Sequence, residues 1–248
     1  MIQVPKHKLV LEVPGGATRV LLHTCCAPCS SAIIECMLQQ GITPVIYYSN
    51  SNIFPLEEYL HRKNECTRYA ESLGLEIIDD DYDHDDWRCI AARGKENEPE
   101  RGARCLECFK YRLLRAAQYA SSHGFTVLTT TLASSRWKDL DQVNAAGLWA
   151  CSRINEDAFP GRCSLPESRA TLGIVRGGTL QGEVCETDAL REPDTIQEAT
   201  GEVRTRVEWW GQNWRKGGLQ DRRNQIIKEM NFYNQLYCGC EYSLRKEQ

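Results

Sequence analysis

Short apolar runs alternate with amphipathic segments through the first 130 residues of this chain, and this alternation restricts the fold more than any other feature. The runs predict strands because they are rich in apolar and β-branched residues, whereas the segments between them carry apolar residues at helical spacing. The predicted strands cover residues 19–23, 43–49, 75–78 and 126–132, and the main predicted helices cover 30–40, 55–72 and 105–122. Strands separated by helices form parallel sheets. We therefore expect an α/β fold, a parallel sheet with helices on both faces in a Rossmann-like arrangement.

The regular pattern stops between about residues 144 and 208. This stretch is rich in Gly, Pro, Glu, Thr and Arg, and its cysteines (Cys151, Cys163 and Cys185) match no metal-binding spacing. Structureless loops of that length are uncommon inside compact domains. We therefore expect an irregular insertion within a single domain over 1–248. Order returns at Trp209, with a predicted C-terminal helical segment over 220–229 and a turn over 237–243.

Cysteine usage is the strongest chemical signal. Seven of the 13 cysteines fall into three short clusters, which are Cys25/Cys26/Cys29, Cys105/Cys108 and Cys238/Cys240. The N-terminus has no signal-peptide pattern and no run approaches the roughly 20 apolar residues of a membrane span, so we expect a cytoplasmic protein without a membrane partner. In a reducing compartment, clustered cysteines bind metal or do redox work more often than they form structural disulfides.

The spacings alone leave three kinds of site open. Cys26 and Cys29 form a C-x-x-C unit where a strand meets a helix, which fits thioredoxin-like exchange as well as a metal site. Two C-x-x-C units also fit zinc or an iron–sulfur cluster. The extra Cys25 suits a second metal or a sulfur facing substrate, because adjacent side chains project in different directions. Cys238 and Cys240 are expected to act either as a redox pair, a redox-active disulfide, or as further ligands.

Two other residues beside the expected site could donate a proton. His23 lies one residue before the thiols and is either a buried strand residue or a proton donor. Asp139 follows Arg136 and Lys138 on a loop at a strand end, where it could ligate a hard metal or donate a proton. The net charge of −4 gives no global basic field, so any RNA contact would have to use one local basic face.

Six segments together resemble the QueH-type epoxyqueuosine reductases. They are LHTCCAPCS at 22–30, YSNSNIFPLEEY at 48–59, GARCLEC at 102–108, TTTL at 129–132, WRKGG at 214–218 and YCGC at 237–240. The resemblance covers 20–143 and 209–243 in order. Residues 144–208 depart from it, because this stretch is longer than the family leads us to expect.

The resemblance implies the last step of queuosine biosynthesis, reduction of the epoxide of epoxyqueuosine at the wobble position of tRNA to give queuosine and water. It also implies an oxidoreductase with a 4Fe-4S cluster and an adjacent mononuclear iron, without cobalamin, fed by an external low-potential electron donor. By position, the implied metal ligands are Cys25, Cys26, Cys105 and Cys108. The implied catalytic residues are Asp139, His23 and Cys29, and Asp139 and Cys29 are also candidate ligands.

The same resemblance implies contact with the anticodon stem-loop of tRNA. The expected tRNA-binding residues are Arg136, Lys138, Trp214, Arg215 and Lys216, and further aromatic candidates for base stacking are Trp137, Tyr48 and Tyr237. Two other functions compete with this one. They are a cytoplasmic thiol–disulfide oxidoreductase that uses Cys26 and Cys29, and a zinc-stabilised RNA-binding protein without catalytic activity.

Overall fold

The computed structural model describes residues 8–158, 204–235 and 237–243. Its centre is a five-stranded parallel sheet with the strand order β3-β2-β1-β4-β5. The strands are β1 Arg19–His23, β2 Thr43–Tyr48, β3 Ile77–Asp79, β4 Val127–Thr130 and β5 Glu208–Trp209. The predicted α/β class and parallel sheet are confirmed.

Six α-helices connect and cover the strands within these ranges. They are α1 Ala27–Gln39, α2 Leu56–Ser72, α3 His84–Trp87, α4 Ala103–Ser122, α5 Leu140–Ala158 and α6 Leu219–Glu229. Helix α1 packs against α6, and α4 packs along α5. Parallel crossovers are right-handed, so the change of strand order at β1 places α1 and α2 on one face and α4 on the other. None of the helices in the described ranges is long and apolar enough to cross a membrane.

Strand β1 is the centre of the core. Val20, Leu21 and Leu22 have no solvent exposure, because the central strand of a sheet with helices on both faces is buried on both sides. This is why the sequence shows a continuous apolar run there rather than an alternating one. At the end of β1, His23 pairs with Tyr47 of β2 and with Thr130 of β4.

The strand order reverses beside β1, and the crevice at the carboxyl ends of β1 and β4 is therefore a topological switch point. Ligands of open α/β sheets bind in such crevices. Cys25 and Cys26 follow β1 directly, and a 3-10 turn over Thr131–Ser134 follows β4. The fold thus places the first cysteine cluster where parallel sheets bind their ligands.

The predicted start of the insertion at residue 144 is wrong, because helix α5 continues to Ala158. Gly147 lies inside α5 and explains part of the weak helix pattern in this stretch of the sequence. A Cβ on Gly147 would lie 2.3 Å from ring atoms of Trp209, so this glycine allows the helix to approach β5 closely. Strand β5 pairs with β4 at only two positions and was not predicted. Residues 159–203, with Cys163 and Cys185, lie outside the described residues, and the single-domain organisation over 1–248 stays a prediction.

Candidate metal centre and active site

The three sulfurs of Cys25, Cys26 and Cys29 form one compact group, called here the thiol triad. Strand β1 ends two residues before Cys25, and Cys26 is the extended residue that precedes α1, whose first turn contains Pro28. All three sulfur atoms lie within 4.8 Å of one another. A strand end followed at once by a helix start therefore turns three neighbouring residues toward one point.

The spacing within the thiol triad fits a metal. The Sγ atoms of Cys25 and Cys26 lie 3.8 Å apart. Metal–thiolate bonds of about 2.3 Å in a tetrahedral arrangement put two sulfurs about 3.8 Å apart. The donor set and the spacing of the triad therefore suit an iron or zinc centre, and three protein ligands leave a fourth position for another group.

The thiol triad concentrates negative charge on one sulfur. Hydrogen bonds from Cys26 and then Cys29 lower the pKa of Cys25 well below its usual value, against the opposing effect of burial. Donating those bonds raises the pKa of Cys26 strongly and that of Cys29 to about 11. Since metal binding releases the protons of cysteine ligands, a cation at this point would replace the two protons that these thiols share with Cys25.

A second set of cysteines, called here the second thiol group, comprises Cys105, Cys108, Cys238 and Cys240. Cys108 and Cys240 are buried around Trp87, and Cys238 packs against the same cluster. Burial raises the pKa of Cys105, and the charges of Cys108 and Cys238 add to it. In the described ranges the thiol triad is the one group of three or more possible ligands within 4.8 Å, and the role of Cys105 and Cys108 as metal ligands stays a prediction.

Cys238 and Cys240 are both free thiols in the structure. A hydrogen bond from Cys240 lowers the pKa of Cys238, and the Ser243 hydroxyl lies 3.0 Å from the Cys238 sulfur. The expected redox-active disulfide is therefore not supported, and a role of these thiols as further ligands stays a prediction.

Lys138 is a partly buried cation on which the charges of thiols from both groups act. Burial by itself would lower the pKa of Lys138, but the negative charges of Cys238 and Cys25 outweigh burial and raise it. The predicted phosphate contact of Lys138 stays a prediction. Its charge offsets that of the thiolates.

Arg62 fixes the position of Cys238 and was missed by the sequence analysis. Its buried guanidinium group pairs with Glu58 at 2.5 Å and donates hydrogen bonds to the carbonyl oxygens of Cys238 and Tyr237, at 3.2 and 3.3 Å. The amide of Phe54 also donates to the carbonyl of Gly239 at 2.9 Å. Only the i, i+4 spacing of Glu58 and Arg62 was visible in the sequence, and it did not indicate a contact with the C-terminal cysteines.

His23 is a buried strand residue, and its predicted role as proton donor is corrected. Its Nε2 donates to the Ser49 carbonyl at 3.1 Å, and its Nδ1 lies 2.7 Å from the Thr130 hydroxyl. Burial, followed by the charge of Arg112, lowers the pKa of His23 to about 3. The ring is therefore neutral near pH 7, and both of its nitrogens are used inside the fold.

Arg112 brings a buried positive charge to the carboxyl edge of the sheet. Only 3% of the residue is exposed, and its Nε donates to the Ser49 carbonyl at 3.1 Å while another guanidinium nitrogen donates to Asn50 Oδ1. Both partners are uncharged. The charge of Arg112 acts against the effect of burial on the pKa of Cys108, so it favours the thiolate form that a metal requires.

Asp139 directly precedes helix α5, which begins at Leu140. Its Oδ1 accepts hydrogen bonds from the backbone amides of Asp141 and Gln142, at 2.9 and 3.1 Å. This is the geometry of an N-terminal helix cap. The predicted role of Asp139 as metal ligand or acid stays a prediction, and the structure adds a structural reason for a carboxylate at this position.

Trp214 and Tyr48 are removed from the set of base-stacking candidates. Trp214 is 1% exposed, its Nε1 donates to the Thr130 carbonyl at 3.1 Å, and its ring packs against Trp210. Tyr48 has no exposure. These aromatic side chains belong to the core, because an apolar ring beside β4 stabilises the fold by burial. Arg136 and Lys216 are exposed and stay candidates for phosphate contact.

A protein-family model for "Epoxyqueuosine reductase QueH" matches residues 20–160 and 186–246 of this chain. The match contains the thiol triad, the second thiol group and all five strands except Arg19 at the start of β1. The chain belongs to the QueH family. The resemblance that the sequence motifs indicated is thereby confirmed.

Relatives from several bacteria carry the same family description. The QueH protein of Histophilus somni is 40% identical over 235 residues, which cover 95% of this chain and 76% of the relative. That of Haemophilus influenzae is 39% identical, with 95% and 75% covered. That of Dehalococcoides mccartyi is 25% identical over 227 residues, with 92% and 93% covered.

The QueH family model leaves residues 161–185 unmatched. This gap lies inside the predicted insertion and is shorter than 144–208. It agrees with helix α5, which places residues 144–158 within the ordered core. Between residues 20 and 246, the part of the chain that the QueH model leaves unmatched is therefore the middle of the stretch that the sequence identified.

Proposed function

We propose that this protein reduces the epoxide of epoxyqueuosine in the anticodon loop of tRNA, giving queuosine and water. The observation that carries the proposal is the thiol triad, which lies at the topological switch point of a chain that belongs to the QueH family. Removing the epoxide oxygen to leave an alkene consumes two electrons and two protons and releases one water. Because no residue in the triad can supply electrons repeatedly, an external low-potential donor must provide them.

Iron bound by cysteine would supply the redox chemistry. When bound, a 4Fe-4S cluster would pass electrons singly and an adjacent iron would polarise the epoxide oxygen as a Lewis acid, without cobalamin. The thiol triad would hold one centre, and Cys105 and Cys108, with Cys238 and Cys240 beside them, would hold the other. This division is supported by the compact thiol triad and by the separate packing of Cys108, Cys238 and Cys240 around Trp87.

The residues around the sulfurs prepare the site electrostatically. Lys138 and Arg112 place positive charge against the two thiol groups, which offsets the thiolate charge that metal binding creates. His23 stays neutral and holds the Ser49 carbonyl, so it orients the loop after β2. The positive charges of Lys138 and Arg112 thus favour anionic sulfur ligands at this site.

A thiol–disulfide oxidoreductase that uses Cys26 and Cys29 is not favoured. In such enzymes the attacking cysteine of the C-x-x-C unit has a lowered pKa. Here the hydrogen bonds raise the pKa of both Cys26 and Cys29, and the sulfur with the lowered pKa is Cys25, outside that unit.

Metal analysis of the protein purified without oxygen tests the proposal. We expect iron, inorganic sulfide and broad absorption near 400 nm, and we expect reduction of epoxyqueuosine-containing tRNA when a low-potential reductant is added. The variants Cys25→Ser and Cys105→Ser should lose iron and activity. Cys151→Ala is the matched control, because Cys151 is buried in α5 and lines a cavity with Thr126 and Val207, at the end of β4 opposite to the thiol triad. A colourless protein that holds only zinc and leaves the epoxide intact would contradict the proposal.

A further inference from the structure

Residues 135–138, called here the clamped segment, are held by two arginines. Arg215 donates to the carbonyl oxygens of Ser135 and Lys138, at 2.6 and 2.8 Å. Arg101 donates to the carbonyl oxygens of Arg136 and Trp137, at 3.0 and 2.9 Å. All four carbonyl groups of this segment therefore accept a charged hydrogen bond, which is stronger than a neutral one.

The clamp is joined to the second thiol group. The backbone amide of Arg101 lies 3.3 Å from the sulfur of Cys105, and the carbonyl of Arg101 accepts from Gln142 of α5 at 2.7 Å. Arg101 also has a positive φ of 68°, a conformation that is unfavourable for a side chain larger than that of glycine. Arg101 therefore links the clamped segment to the sulfur of Cys105 and to helix α5.

Two adjacent residues of the clamped segment face different surroundings. Lys138 is partly buried and its charge interacts with those of the thiols, whereas Trp137 is 67% exposed. The guanidinium group of Arg136 lies 5.9 Å from the centre of the Trp137 ring. An aromatic side chain in solvent contributes little to the burial that stabilises the fold. The backbone carbonyl of Trp137 is nevertheless held by Arg101, and Arg215 holds the residues on either side at Ser135 and Lys138.

We propose that Trp137, with Arg136 beside it, is the platform on which an unpaired base of the tRNA loop stacks next to the thiol site. Single-stranded nucleic acids bind by stacking bases on exposed aromatic rings, while nearby basic groups hold phosphates. The exposed indole and the cation of Arg136 provide both functions one residue away from Lys138. This inference rests on the proposed function, since it assigns the tRNA contact of that same site.

Trp149 provides a matched control on the same protein. It is also exposed, at 41%, and it also has a cation near its ring, since Lys110 lies 5.4 Å from the ring centre. It lies nine residues into α5, about 14 Å along the helix from the clamped segment. An indole at that distance has no place in the proposed platform.

Binding of an anticodon stem-loop RNA to the iron-loaded protein, followed by fluorescence anisotropy at several salt concentrations, tests the proposal. Trp137→Ala should weaken binding roughly 5- to 150-fold, as loss of one stacked base does, and Trp137→Phe should keep most of the affinity. Trp149→Ala should bind like the unaltered protein. Arg136→Gln should reduce the slope of log affinity against log salt by about 1. The iron content and the melting temperature of all variants should stay unchanged.

Each outcome has a definite meaning. If the unaltered protein binds the stem-loop and Trp137→Ala binds equally well, the platform is refuted while the proposed function stands. If Trp137→Ala and Trp149→Ala lose affinity for the stem-loop equally, the loss is not specific to Trp137 and the platform is refuted as well. If the unaltered protein neither binds the stem-loop nor acts on it, the proposed function fails and the platform fails with it.

Discussion

Arg62 on helix α2 donates a hydrogen bond to the carbonyl oxygen of Cys238, which lies 176 residues further along the chain. The same guanidinium group is paired with Glu58 and lies over the ring of Tyr237, 5.1 Å from its centre. One buried cation of the second helix therefore holds the C-terminal cysteines against the body of the protein.

Replacing Arg62 with Met should release this C-terminal segment. We expect the free energy of unfolding to fall by about 2–3 kcal/mol, because Glu58 and two carbonyl groups lose a charged partner. The iron content should fall as well, since Cys238 loses its fixed position. Urea unfolding and iron analysis measure the two effects. Arg68→Met on the same helix is the control, because Arg68 is exposed and contacts the Met230 carbonyl and the Phe232 ring rather than the C-terminal cysteines. Equal losses in both variants would contradict the assignment.

Gly239 should tolerate no side chain. Its φ is +102°, and a Cβ would lie 2.8 Å from Cγ1 of Ile53 and 3.0 Å from a nitrogen of Arg62. Gly239→Ala should therefore combine backbone strain of about 1–2 kcal/mol with a clash of about 1–3 kcal/mol. Gly124→Ala separates the two causes, since Gly124 has a φ of +75° and no atom within 4 Å of the added Cβ. Equal melting temperatures for the two variants would show that the predicted clash is absent.

The carboxyl group of Asp80 should make the free energy of unfolding depend on pH in the acidic range. Burial acts against ionisation of this carboxyl group, but hydrogen bonds from Arg115 and Ser49 outweigh burial and lower its pKa. The group therefore contributes stability above the pKa of an unfolded aspartate, near 3.9, and loses this contribution as the pH falls through its lowered folded value. Urea unfolding should show Asp80→Asn to be about 1–2 kcal/mol less stable at pH 7. The difference should shrink below pH 4, and a constant difference from pH 7 to pH 3 would argue against this assignment.

Replacing Trp214 should lower the stability of the fold and leave the affinity for RNA unchanged. Trp214→Phe removes the hydrogen bond to the Thr130 carbonyl and part of a buried ring, so we expect a loss of about 1–3 kcal/mol in the free energy of unfolding. At a temperature where the variant is folded, its affinity for the stem-loop should equal that of the unaltered protein. A selective loss of RNA affinity without loss of stability would restore Trp214 as a direct contact.

Local patterns predicted the elements whose residues decide their own structure. Strand β1 was predicted from its apolar run, and α2 from helical spacing, with Pro55 before it and acidic residues in its first turn. Strand β5 could not be predicted in this way, because its two residues become a strand only by pairing with β4. The end of the regular region was also misplaced, since Gly147 weakens the helix signal locally and is favoured by its packing on Trp209.

The sequence by itself determined a parallel α/β fold, the position of three cysteines after its first strand, and membership of the QueH family through ordered motifs. These features depend on neighbouring residues or on short spacings, so they can be read along the chain. Only the tertiary structure decided that Arg62 holds the carbonyl of Cys238, that Trp137 is exposed while the charges of distant thiols act on Lys138, and that Trp214 is buried. Each of these depends on packing between segments that are distant in sequence, and a cysteine, lysine or tryptophan has the same local preferences whether it is buried or exposed.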